Sequence, residues 1–214
     1  MGVRVGFGLG TAAAAGLDRQ RFLEVVDTCE HTGWDSLWFS ELRGSDLLSP
    51  LVAMAVVAGR TDRLRFGTSV MLLTGRSPLV LAKELASLDV LSGGRVVPVF
   101  GIGSPGTGER DLVDVPKGQL GAWATETIEV VARLWAGDAV THHGRFHRMD
   151  GVTLHPAPLQ NPLDLWFGGH SDAALERVAR FGTGWLPSFL PPTEYAPLAE
   201  QLDHRPVPGR HRRR

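Results

Sequence analysis

Cysteine is nearly absent: Cys29 stands alone among 214 residues. The chain can therefore form no intramolecular disulfide and no Cys-rich zinc site, which fits a reducing cytoplasm. An excess of one charge is missing too. Lys and Arg number 22 against 23 Asp and Glu, a formal net charge of -1, and that balance carries no footprint for nucleic acid or an anionic membrane. Arg205, Arg210, Arg212, Arg213 and Arg214 crowd the last ten residues, which hold no acid, so 205–214 is expected to be a basic, disordered tail on an acidic body. No apolar run approaches the ~20 residues of a membrane span. The opening MGVRVGFGLGTAAAAG lacks the charged-then-apolar layout of a secretory leader. The Gly-x-Ser-x-Gly elbow and the Walker phosphate loop are also missing.

What is present is an ordinary globular composition, 43% hydrophobic with 26 glycines. A chain of this length buries on the order of 70% of its extended surface, enough for one core. One domain is expected over 1–204. Val3 to Gly8 alternates as a strand does, and Asp18 is a good N-cap for a helix carrying Phe22, Val25, Val26 and Cys29 on one face, with Gly33 as its stop. Trp34 to Ser40 reads as a second strand, and Ser49-Pro50 opens a helix over Leu51 to Ala58. Leu64 to Leu72 is a third strand, after which Ser77-Pro78 opens another helix that stops at Gly93-Gly94. Val96 to Gly103 is a fourth, continuously apolar strand, although Pro98 cannot donate to a ladder. A helix near Trp123 to Trp135 precedes a polar, alternating hairpin or excursion over 138–160, around Thr141 to Met149. A fifth strand at 163–167, a helix over Ser171 to Phe181 and a short sixth strand, Gly184 to Ser188, follow. Strand starts near 3, 36, 64 and 96 recur at the length of a right-handed parallel crossover. The fold is thus α/β, either an open doubly wound sheet or a (β/α) barrel.

Gly8-Leu9-Gly10-Thr11-Ala12-Ala13 matches a dinucleotide fingerprint, with Glu41 as a ribose partner. The following helix begins only at Asp18, whereas the fingerprint requires a helix N-terminus directly at the pyrophosphate. A second match, Gly101 to Gly106, also runs into a loop, so both are read as turn glycines. Gly168-Gly169-His170-Ser171 joins a strand to a helix and could hold a phosphate on its free N–H groups or be a plain βα turn. His142, His143 and His147 form an HHxxxH cluster in a polar segment without a carboxylate motif, so they are expected to be solvated and no metal is expected. Cys29, on an apolar helix stripe, reads as a small inert hydrophobe.

Taken together, WDSLWFSE, LRFGTSVML, SPLVLAKELASLDVLSGGR, FGIG, TETIEVVARLW, THHGRFH, LWFGGHS and GWLPSF stand in the order and spacing of the luciferase-like monooxygenase superfamily. The sequence resembles most its branch that uses the deazaflavin coenzyme F420, over residue 3 to about residue 200. The resemblance implies a (β/α)8 TIM-type barrel with about six of its eight strands present, because EYAPLAEQLDH passes into RPVPGRHRRR where family members continue. It implies a non-proline cis peptide at Ser69-Val70 behind a cofactor ring, close approach of that ring at Gly101 and Gly103, and cofactor phosphate contacts at Gly168, Gly169 and Ser171. Glu41 matches the acidic position beside the substrate face and is expected to serve as general acid or base; the histidine that follows this acid in some relatives is Leu42 here. The implied reaction is hydride transfer between coenzyme F420 and a small organic substrate. The alternatives are a monooxygenase using reduced FMN and an inactive, C-terminally truncated remnant. The resemblance also implies a homodimer, with no nucleic-acid or membrane partner.

Overall fold

The computed structural model describes residues 3–10, 17–103, 106, 108–116, 118–187 and 189–204. The expected tail 205–214, Thr11 to Ala13 of the first glycine motif, Ser104 and Pro105 of the second, and Ser188 lie outside the described residues. The elements run β1 (Gly6–Leu9), α1 (Arg19–His31), β2 (Ser36–Phe39), α2 (Pro50–Arg60), β3 (Arg65–Thr68), β4 (Met71–Leu72) and α3 (Pro78–Ser92). Then come β5 (Val96–Val97), β6 (Val99–Gly101), α4 (Leu120–Trp135), β7 (Val140–His143), β8 (Arg148–Val152), β9 (Trp166–Gly168), α5 (Asp172–Phe181), β10 (Gly184–Leu186) and α6 (Pro192–His204).

The helix starts follow the local chemistry. The Asp18 carboxylate accepts from the Arg21 N–H at 2.8 Å and opens α1, as expected. Proline is the first residue of both α2 and α3, where its missing N–H costs nothing. Gly93 ends α3 in the left-handed region at φ 68°.

Every barrel strand is parallel to its neighbours, in the order β1-β2-β3-β5 and β4-β6-β9-β10. The two runs are one wall. The expected third strand is broken into β3 and β4 at Ser69-Val70, which is cis, and the expected fourth is broken into β5 and β6 at Pro98. Pro98 keeps its acceptor role, since its carbonyl takes the Trp166 N–H at 3.0 Å. The result is six successive strands of a (β/α) barrel. Among the described residues, β1 and β10 have no further strand on their outer edges.

Several boundaries differ from expectation. The fifth strand starts at Trp166 rather than 163, because Asp164 is drawn to the Arg65 guanidinium (2.6 Å) and to the Thr183 hydroxyl (2.7 Å). Residues 192–204, which carry no clear helical stripe and include Pro197, form α6, none of whose residues is buried. The 138–160 excursion is the antiparallel hairpin β7–β8.

Between the strands and the helices lies the apolar core, with Leu37, Phe66, Phe100 and Phe167 facing Met54, Leu81, Leu85 and Ile128. Arg95, from the SGGR run, ties the floor of the barrel together through the carbonyls of Ala58, Thr61, Leu64 and Ser92. Inside the barrel Trp38 and Trp166 lie 5.8 Å apart. No described helix is long and apolar enough to cross a membrane.

Candidate active site

The carboxyl ends of parallel strands leave backbone groups unpaired and side chains converging, so ligands settle there. Val70 is the centre of this end. Its Cγ2 lies 2.7 Å from where a Cβ on Gly101 would stand, and its Cγ1 lies 2.7 Å from the corresponding point on Gly168. Both glycines are therefore required by the same valine, and residues 70, 101 and 168 form one surface drawn from three neighbouring strands. The Ser69 N–H donates to the Phe39 carbonyl at 2.7 Å, the Ser40 hydroxyl donates to the Ser69 carbonyl at 3.2 Å, and the Glu41 N–H donates to the Val70 carbonyl at 3.3 Å. The end of β2 thus holds the Ser69-Val70 bond in place.

Two further expected positions need glycine for their backbone alone. Gly103 (φ 84°) and Gly169 (φ 92°) occupy the left-handed region that L side chains rarely adopt. The Gly103 carbonyl oxygen accepts from the Arg110 guanidinium at 2.8 and 3.1 Å. The Gly169 carbonyl accepts from the Trp185 indole N–H at 2.7 Å, which fixes the turn, and the Ser171 hydroxyl accepts from the Ala174 N–H as the cap of α5.

Glu41 lies two residues beyond the end of β2. Its side chain is only 9% exposed, and both oxygens are engaged: Oε2 accepts from the Leu72 N–H at 2.7 Å, and Oε1 accepts from Arg76 at 2.6 Å with the Arg43 Nε at 3.6 Å. Arg43 in turn donates to the carbonyls of Leu72 and Thr74. Glu109, which the sequence reading passed over, is the contrasting carboxylate. It is 4% exposed; Oε1 takes only a long contact from the Gly44 N–H (3.5 Å), and Oε2 has no partner among the described residues. Its Cβ lies 3.6 Å from where a Cβ on Gly103 would be. A buried carboxylate oxygen without a donor is uncommon in a folded protein and marks a place where a ligand's donor belongs. The signal was the acid six residues after Gly103, unreadable without knowing how the loop folds back.

The pattern of the luciferase-like monooxygenase family matches residues 1–206. The chain belongs to that family. It is 38% identical over 144 residues to an uncharacterized protein of Mycobacterium tuberculosis, covering 67% of this chain and 49% of the relative. It is 29% identical over 191 residues to the F420-dependent glucose-6-phosphate dehydrogenase of Gordonia bronchialis, covering 82% of this chain and 54% of the relative. This family member thus spans about half the length of these curated relatives. The crystal structure of the monooxygenase RslO1 from Streptomyces bottropensis superposes with a TM-score of 0.76 at 27% identity, covering 95% of this chain and 68% of that one.

The remaining expected positions are structural in this family member. Cys29 is buried, which pushes its thiol pKa up and leaves it inert. The three histidines are not all solvated as expected. His142 Nε2 meets Glu126 at 3.0 Å, and His147 Nε2 meets the Thr127 hydroxyl at 2.7 Å, because Glu126 draws the hairpin tip onto α4; His143 alone stays well exposed. Among the described residues no group of three His, Cys, Asp or Glu side chains could hold a metal.

Proposed function

We propose that this chain is a cytoplasmic oxidoreductase that binds coenzyme F420 at the carboxyl end of its strands and moves a hydride to or from a small organic substrate. The observation that carries this reading is the Val70 surface, where Gly101 and Gly168 give up their side chains to one buttressing residue beside the Gly169 turn. The residues present fit such a cofactor: glycine backbone lets a flat ring approach, the turn from Gly168 to Ser171 opens α5 toward an anionic tail, and Glu109 keeps, near Gly103, an oxygen with no partner among the described residues. The likeness to an F420-dependent dehydrogenase supports the same choice.

When bound, the deazaflavin supplies a two-electron hydride carrier. The chain supplies position and proton handling. Glu109 is the group that exchanges a proton with the substrate at Oε2, because of Glu41 and Glu109 it is the one with a carboxylate oxygen that has no partner among the described residues. Glu41, assigned acid–base work from the sequence, serves here by orienting Arg76 and Arg43 at the rim. The likeness to the monooxygenase RslO1 favours one competing reading, reduced FMN with oxygen on the same surface.

Thermal unfolding of the purified chain with each cofactor separates the two. Saturation with coenzyme F420 at about 100 times its Kd is expected to stabilise the fold by about 2.7 kcal/mol, with FMN giving less; the reverse order selects the monooxygenase. With a substrate in hand, E109Q is expected to lower kcat by about 10²-fold, while E41Q lowers it less.

A further inference from the structure

A cleft of about 430 Å³ lies outside the barrel, between the start of α3 and the tip of the β7–β8 hairpin. Arg76, Ser77, Trp123, Phe146, Arg148 and Met149 line it, with His147 behind them, and no acid is among its lining residues. Arg76 is held from behind by Glu41 and the Leu72 carbonyl, so its guanidinium is fixed, and its Nη1 has no partner among the described residues. Arg148 is largely exposed, and its ion pair to Asp150 is long at 3.8 Å. The Ser77 hydroxyl makes no bond to the first turn of α3. His147 packs edge-on against Trp123, ring centroids 4.8 Å apart, and is anchored to Thr127, so the apolar wall is rigid.

Two arginines, one paired from behind by Glu41 and the other only loosely with Asp150, stand with a free hydroxyl and an apolar wall around a lining that holds no acid, and together they describe a receptor for one kind of molecule. Cavities of a few hundred Å³ with few convergent polar groups are typical small-molecule sites, and a fixed guanidinium suits carboxylate and phosphate equally. We propose that this cleft binds a small, flat organic anion, with Arg76 and Arg148 on its carboxylate or phosphate and Trp123, Phe146 and Met149 against its body. Arg76 is shared with Glu41, so the cleft and the barrel mouth meet at a single side chain.

The test is isothermal titration of the full chain, free of cofactor, with benzoate, phenyl phosphate, inorganic phosphate and benzyl alcohol. It requires no turnover, so its failure would leave the hydride-transfer reading standing. Benzoate or phenyl phosphate is expected to saturate, and the tighter of the two tells which anion the site takes. Benzyl alcohol and inorganic phosphate are expected to bind at least about tenfold more weakly, each lacking one half of the recognition. R148E, at a mostly exposed position, is expected to weaken the anions by about tenfold without moving the unfolding midpoint, and added salt is expected to weaken them as well. No saturation by either aromatic anion, benzyl alcohol binding as well as benzoate, inorganic phosphate binding as well as phenyl phosphate, or R148E binding unchanged would each overturn the proposal.

Discussion

At Val70 a single side chain sets the identity of two others. Adding a methyl group at residue 101 or 168 forces it against a valine methyl at 2.7 Å, and overpacking of that kind costs about 1–3 kcal/mol. G101A is therefore expected to lower the unfolding free energy measured by urea denaturation by that amount, and to weaken cofactor binding. The double variant V70A/G101A should recover much of the loss, a coupling that a double-mutant cycle measures directly; simple additivity of the two changes would show that the contact does not limit packing. The glycines themselves were legible in the sequence through the family resemblance. Their reason was not, because the valine that excludes their side chains is separated from them by 31 and 98 residues in the chain.

The hairpin shows what a single carboxylate does for an element. Short two-stranded ribbons are marginal alone, and β7–β8 is held by Glu126, which accepts from the N–H groups of Arg145, Phe146 and His147 and from His142. Burial alone would raise the Glu126 pKa; these donors outweigh it and keep the carboxyl below its usual range. Burial pushes the neighbouring His147 pKa down, so the fold prefers its neutral ring. The stability tied to His147 is complete above the unfolded value of about 6.5 and is lost as pH falls through the lower folded value. Denaturation curves are thus expected to show stability declining below about pH 6.5, and H147Q should flatten that decline. E126Q is expected to cost about 1.5–3 kcal/mol, with hydrogen exchange accelerating at Arg145 to His147 before it does in the barrel strands. The sequence showed a polar, alternating segment that suggested a hairpin or an excursion, and it is a hairpin; which histidines are partly covered depended on α4 lying beneath it.

For the molecule as a whole, six parallel strands curve without closing among the described residues, and β1 and β10 present their outer edges. Val52 and Val56 of α2 stand 65% and 41% exposed. Free edges and exposed apolar side chains favour association. The expected outcome is a homodimer or larger species by light scattering, shifted toward monomer by V52K/V56K, whose positions are outside the core. A monomer at every concentration would show that these surfaces are tolerated in water.

Except for α6, the order of barrel strands and helices was determined by the sequence alone, because periodicity, proline at helix starts and terminal glycines act over a few residues. The same local rules marked Asp18, Ser171 and Gly93 as helix boundaries. Only tertiary structure decided that Ser69-Val70 and Pro98 divide their strands, that Asp164 leaves the ladder for Arg65, and that Glu109 is buried with an oxygen unpartnered among the described residues while both Glu41 oxygens are engaged. Those outcomes depend on which distant groups meet, and a carboxylate's part in chemistry is set by the donors that reach it rather than by its position in the chain.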